Sequence, residues 1–247
     1  GVFADDGITV VEEHATAVST DAGEVVATTA SGQQVRGARL LVATGRFART
    51  DGLDLPAAGI DVDERGFIII DEFQRTTNPR VYAAGDVSGA PQYVYVAAAG
   101  GRVAAINALA HDGGPPTARV DYTGMPAVVF TSPQLASAGM SEEEALERGY
   151  ACACRVLDLS DVPRALVNRD TRGAIKLIAD ATTGRVLGVH ALADGAGEIM
   201  LAATYAIKAG MTVDDLADTW APYLTMAESL RLVAGLFRNQ MPTSCCA

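Results

Sequence analysis

The tightest constraint on the fold lies between Val81 and Pro116. A short apolar run, Val81-Tyr82-Ala83-Ala84, ends in Gly85-Asp86-Val87. An alanine-rich stretch from Tyr93 to His111 follows, and Gly113-Gly114-Pro115-Pro116 stops it. Four apolar residues bounded by glycine read as a buried strand. The long stretch closed by glycine and proline reads as a helix. A strand, a glycine turn and a helix in succession make a layered α/β unit. An aspartate at the carboxyl end of such a strand has two uses. It can cap the next helix, or it can accept hydrogen bonds from a ligand polyol that small neighbours allow to approach.

Before this unit, residues 8–11 alternate as a short strand, and 24–29 and 33–36 flank Ser31-Gly32 as a hairpin. Residues 38–44 (ARLLVAT) form an apolar run that reads as a buried strand ending at Gly45-Arg46. That turn can bring a cation to a phosphate, or be an ordinary turn. Residues 66–71 read as a further strand. The Gly/Pro cluster at 113–116 marks the domain boundary. Beyond it come a strand at 127–130 and a capping-box helix from Ser141 to about Arg148. Strands follow at 151–157, 174–180 and 186–191, with Thr182-Thr183-Gly184 as the last turn. Helices are expected at 198–209, 213–219 and about 225–239. This second part is α+β.

A net charge of −11 with no basic cluster argues against nucleic acid and anionic membranes as partners. No run approaches the ~18 apolar residues of a membrane span, so no membrane insertion is expected. The chain has four cysteines, in two pairs. Cys152 and Cys154 lie two apart on an expected strand, so both face one side; small buried hydrophobes are the favoured reading. Cys245 and Cys246 are adjacent near the C-terminus. They suit a soft metal ion, thiol–disulfide chemistry, or are inert thiols at a frayed end. Reduced thiols fit a cytoplasmic location. His14, His111 and His190 show no metal-ligand spacing.

The segments ATGR (43–46), TxPxVYAAGDV (77–87) and MPAVVFTSPQLASAG (125–139) together resemble the FAD- and NAD(P)-dependent disulfide reductase family. The resemblance covers nearly the whole chain. It implies the end of an NAD(P)-binding domain over 1–48 and the returning part of an FAD-binding domain over 49–117. An α+β interface and dimerisation domain over 118–240 and a cysteine tail over 241–247 complete the expected order. Gly85 and Asp86 are expected at the FAD ribityl chain, Val94 and Tyr95 beneath the flavin, and Gly45 and Arg46 at the junction of the two nucleotide domains. The family's His-Pro-Thr-x-x-Glu ending is here Tyr223-Leu224-Thr225-Met226-Ala227-Glu228. Tyrosine, with a pKa near 10, is a poor base, but it can offer a phenolic oxygen or a hydroxyl donor. That change, with PYLTMAE (222–228), residues 162–173 and the terminal SCCA, resembles the mercury-reducing branch of the family.

The branch implies NADPH, FAD, a homodimer, and Hg(II) as substrate. Cys245 and Cys246 would carry Hg(II), and Tyr223 would line the inner site. The GxGxxG fingerprint and the CxxxxC redox pair are not in this sequence and are expected upstream of Gly1. The segment alone is therefore expected not to reduce mercury. Two alternatives stand beside this reading: a thiol metal-binding or dimerisation module without catalysis, and another flavoprotein disulfide reductase.

Overall fold

The computed structural model describes residues 1–110 and 115–239 of the chain and divides it into two compact units, Gly1–Asp121 and Tyr122–Ala247. His111, Gly113, Gly114, Cys245 and Cys246 lie outside the described residues.

The first unit begins with a single helical turn, Val2–Asp5 (α1), and a three-stranded antiparallel sheet. Its strands are Ala15–Asp21 (β1), Glu24–Thr29 (β2) and Gln34–Gly37 (β3), in spatial order β1-β2-β3. The hairpin around Ser31-Gly32 is as the sequence predicts. The exposed strand β1 is not predicted; it is a strand because β2 gives it a ladder, from Asp21 opposite Glu24 to Ala15 opposite Thr29.

Four expected strands are corrected. Residues 8–11 and 38–44 form no strand, and Leu41 is 89% exposed. No described strand pairs with either run, and apolar content alone cannot satisfy a strand's backbone N–H and C=O groups. Residues 66–71 and 81–84 make only isolated bridges, Val62 to Ile68, Ile70 to Thr76 and Arg75 to Tyr82. Even so, Leu55, Ile60 and Ile68 bury together with Val81, Ala83 and Val87.

The helix Val94–Ala108 (α2) buries Val96, Gly100, Val103 and Asn107, the single stripe expected at helical spacing. A Cβ at Gly100 would lie 2.9 Å from Gln74 Oε1 and 3.2 Å from Ala84 Cβ, so glycine sets how closely α2 meets the chain there. Asn107 fastens the other end. Its Nδ2 donates to the carbonyls of Phe73 and Ala118, and its Oδ1 accepts from the Thr117 and Ala118 N–H groups.

The second unit is a five-stranded antiparallel sheet of Pro126–Val129 (β4), Gln134–Gly139 (β5), Cys152–Asp158 (β6), Ala174–Asp180 (β7) and Val186–Ala193 (β8), in spatial order β4-β5-β8-β7-β6. Glu142–Glu147 (α3) carries the predicted capping box, with Ser141 Oγ accepting from the Glu144 N–H and Glu144 accepting from the Ser141 N–H. Pro163–Asn168 (α4), Ala196–Ala209 (α5), Val213–Asp218 (α6) and Glu228–Gly235 (α7) follow, and Leu236–Arg238 closes with a 3₁₀ turn. The last helix starts three residues later than expected, because Leu224 takes a positive φ of 59° and the chain turns before it coils.

Strand alternation sorts the side chains of this sheet. Leu157, Ile175, Leu177, Val189 and Ala191 face a core completed by Ile199 and Met200 of α5 and Val233 of α7. Ile178 and Leu187 face the other way, onto a small cluster with Ala145 of α3, where Met140, Cys152 and Cys154 also pack.

Candidate functional site

In the first unit, the predicted residues converge on the turn before α2. Gly85 has φ +81°, and a Cβ there would meet Ala97 Cβ at 3.2 Å. Asp86 opens a 3₁₀ turn, Asp86–Ser88, and does not cap α2, whose N-cap is Tyr93 with no side-chain hydrogen bond. Its carboxylate instead accepts from Arg46: Nη1 lies 2.9 Å from Asp86 Oδ2 and 3.5 Å from the Gln92 carbonyl. Both partners are half exposed, so the pair is worth little to stability and leaves carboxylate lone pairs open to a ligand. Gly45, beside Arg46, has φ +108° and nothing within 4 Å of where a Cβ would stand.

Val94 and Tyr95 begin α2, with Val94 87% exposed and the Tyr95 ring stacked on Tyr93 at 5.2 Å between centroids. The first intrahelical bond runs from the Ala97 N–H to the Tyr93 carbonyl, so the N–H groups of this first turn point out of the helix. They and the helix dipole favour negative charge at that end. An exposed acceptor, the open space at Gly45 and a helix N-terminus fit the polyol and ring edge of a flavin. When bound, the flavin supplies two-electron redox chemistry.

In the second unit, Tyr223 is 50% exposed on the turn that leads into α7. Thr225 Oγ1 donates to the Pro222 carbonyl at 2.8 Å and accepts from the Glu228 N–H at 3.3 Å. Glu228 is buried. Its Oε1 accepts from Arg231 at 3.2 Å, while Oε2 has no hydrogen-bond partner among the described residues. A buried acceptor left without a donor is costly, so this oxygen is a site where an incoming donor gains.

Beside this turn lies a cavity of about 280 Å³ lined by Tyr205, Met211, Leu216, Trp220, Pro222 and Leu230, among others. Trp220 is 97% exposed, and Leu201 and Tyr205 are also exposed. Sequence reasoning missed this apolar face. A lone tryptophan beside Pro222 was its available signal, but α5, α6 and α7 had to be assembled to show it.

Of the expected cofactor-site residues, Arg46 and Asp86 stand together, with Gly45 and Gly85 next to them in the chain. Tyr223 belongs to the other unit. Cys245 and Cys246 lie outside the described residues. His14 and His190 bring no ligand set: no cluster of three or more His, Cys, Asp or Glu able to hold a metal occurs among the described residues. Likewise, no described helix is long and apolar enough to cross a membrane.

Residues 1–101 match the family described as pyridine nucleotide-disulphide oxidoreductase, and residues 125–234 match its dimerisation domain. The chain is 52% identical over 252 aligned residues to a mercuric reductase of Streptomyces lividans, covering 100% of this chain and 52% of that protein. It is 48% identical to a mercuric reductase of Acidithiobacillus ferrooxidans, covering 99% of this chain and 44% of that one. Among solved structures, LpdA from Mycobacterium tuberculosis superposes with a TM-score of 0.85 at 29% identity, covering 96% of this chain and 51% of that chain. A Cu(II) complex of the HOCl-induced flavoprotein disulfide reductase RclA from Escherichia coli does so at 0.84 and 31%, covering 95% and 53%. The chain thus spans about half the length of the curated relatives it matches. The Gly85-Asp86 turn falls within the first matched region and the five-stranded sheet within the second, and this chain belongs to the pyridine nucleotide-disulphide oxidoreductase family.

Proposed function

We propose that this chain is the C-terminal half of a mercuric reductase, the whole protein reducing Hg(II) to Hg(0) with electrons that NADPH would supply through a bound FAD and cysteine thiols. The observation that carries the proposal is the 52% identity, over the entire chain, to a protein named mercuric reductase. Tyrosine at 223 in place of histidine supports it, since the exchange removes the base a disulfide reductase needs and leaves a phenol suited to a metal ion's surroundings.

Asp86 holds the flavin polyol through its carboxylate, with Arg46 fixing the carboxylate's orientation. Gly45 leaves room for the cofactor, Gly85 lets its turn approach Ala97 of α2, and Val94 and Tyr95 present the start of α2 to the ring edge. Cys245 and Cys246 bind Hg(II) as thiolates and hand it on to a second thiolate pair. Hand-over between thiolates avoids releasing a soft cation that would attack other thiols, and a tail achieves it by effective concentration. Tyr223 lines the receiving site and steadies the ion through its phenolic oxygen. The family works as a homodimer; here the exposed face of Leu201, Tyr205 and Trp220, within the region matched by the dimerisation domain, is the surface we assign to it. Reduced thiols and NADPH place the reaction in the cytoplasm.

The test is Hg(II)-dependent NADPH oxidation by the full-length FAD-loaded protein that carries this chain, with excess monothiol present. Robust oxidation is expected. Tyr223→Phe should lower it by about 10–100-fold, the usual cost of losing a group that orients a metal. Cys245→Ala/Cys246→Ala should fail mainly when strong thiol ligands hold the metal. A flavin-loaded protein that oxidises NADPH equally with and without Hg(II) overturns the proposal.

A further inference from the structure

The tail is not the chain's one paired set of thiols. Cys152 and Cys154 project from β6 on the face opposite the main core. Their Sγ atoms are 3.7 Å apart. Among the described residues β6 is an edge strand, paired with β7 alone. Both thiols are half-buried and free.

Three features tell what the pair suits. First, a disulfide needs sulfurs about 2.05 Å apart and Cα atoms within roughly 6.8 Å. Residues i and i+2 of a strand stand about 6.6 Å apart, the outer limit, and the ladder of β6 to β7 holds them there. Second, metal–thiolate bonds of about 2.3 Å spanning the observed 3.7 Å subtend roughly 107° at the metal, close to tetrahedral. Third, the surroundings supply soft and charged groups. The thioether of Met140 packs on the same cluster. The Glu142 carboxylate interacts with Cys154 and is ion-paired to Lys176. Lys176 in turn favours negative charge on Cys154.

We infer that Cys152 and Cys154 form a bent two-thiolate site for a thiophilic d¹⁰ cation, with the Glu142 carboxylate beside it as an outer partner. The ion binds without redox change. Two S–H bonds break, two metal–sulfur bonds form, and both protons leave to solvent or to departing monothiols. Burial, the neighbouring Cys152 and Glu142 otherwise push the Cys154 thiol up to about 12. Binding a metal displaces the proton of each thiol. Lys176 offsets part of the charge so created. The inference stands whether or not the proposed function is correct.

The 247-residue chain with Cys245→Ser and Cys246→Ser keeps Cys152 and Cys154 as its two thiols. Cd(II) is the probe, since it accepts bent thiolate coordination. We expect one Cd(II) per chain, a thiolate-to-cadmium charge-transfer band, and retention against excess monothiol. Adding Cys154→Ser or, independently, Cys152→Ser should weaken binding at least 100-fold while far-ultraviolet circular dichroism stays unchanged. Adding Glu142→Gln should weaken it about 10-fold. Binding unaffected by either cysteine change, two ions per chain, or loss of both thiols to an internal disulfide in place of metal retention would each overturn the inference.

Discussion

Residues 38–44 (ARLLVAT) and 174–180 (AIKLIAD) are matched in length and apolar content, yet they end differently. Ile175 and Leu177 of the second run are fully buried, whereas Leu41 of the first is 89% exposed. The second lies between β6 and β8, which take up its backbone hydrogen bonds, and α7 covers one face. The first has no strand beside it among the described residues. An apolar run is thus a request for burial, which neighbouring strands grant or withhold. The largest expected effect tests this directly. Leu177→Ala should cost about 2–5 kcal/mol of unfolding free energy, and Leu41→Ala in this chain should stay within about 0.5 kcal/mol. Paired urea titrations would measure both. Equal costs would break the comparison. A large cost for Leu41→Ala only in the full-length protein would sharpen it, by locating the missing neighbours elsewhere in that protein.

The two units also use glycine differently. Gly173 has φ +121°, and a Cβ there would stand 1.9 Å from the Leu192 carbonyl oxygen; Gly45 has φ +108° with open space around it. Gly173→Ala adds overpacking of about 1–3 kcal/mol to backbone strain, inside a sheet that cannot move aside. Gly45→Ala carries strain alone, on an exposed segment that can relax. We expect a fall in melting temperature several times larger for Gly173→Ala. Gly45→Ala should be felt in FAD retention by the full-length protein. A loss of stability as large at 45 as at 173 would mean that the exposed segment is held more firmly than its contacts indicate.

Local chemistry explains which elements were legible in the sequence. The Ser31-Gly32 hairpin, the capping box at Ser141 and Glu144, and strands 174–180 and 186–191 carry their signals within a few residues, and the structure has them all, the last running on to Ala193. Strand β5, Gln134–Gly139, was not read. Its small residues, such as Ala136 and Ala138, lack the bulk that marks a strand, yet they are what lets it fit buried between β4 and β8. In the site, Asp86 was legible as a candidate, but its choice of partner was not. Arg46 lies forty residues earlier, and no local signal distinguishes a helix cap from an ion pair formed at that separation. Cys152 and Cys154 were legible as a same-face pair; their 3.7 Å spacing, which argues for a metal over packing, was not.

The smallest effect concerns the cations of the two units. Arg46 makes one contact to one carboxylate, Asp86. Arg238 grips two: Nε lies 2.6 Å from Asp214 Oδ1, and Nη1 and Nη2 lie 2.7 and 2.9 Å from the two oxygens of Asp218. The fork ties the closing 3₁₀ turn to α6 and, by hydrogen bonding, holds the Asp218 carboxyl below the usual carboxylate range. A carboxyl depressed in the folded state stabilises above its unfolded pKa, about 3.9, and that contribution fades as pH falls through the lower folded value. Stability should therefore be flat from neutrality to about pH 4 and decline below it. In Arg238→Ala the Asp218 midpoint should rise toward the ordinary value, and the acid decline should become shallower. Because the fork is exposed to solvent and screened by salt, stability at pH 7 should change little. Carboxyl carbon shifts followed through an acid titration measure the midpoint directly. An unchanged Asp218 midpoint in Arg238→Ala would show that other groups of α6 hold the carboxylate, and that the fork adds geometry without adding charge stabilisation.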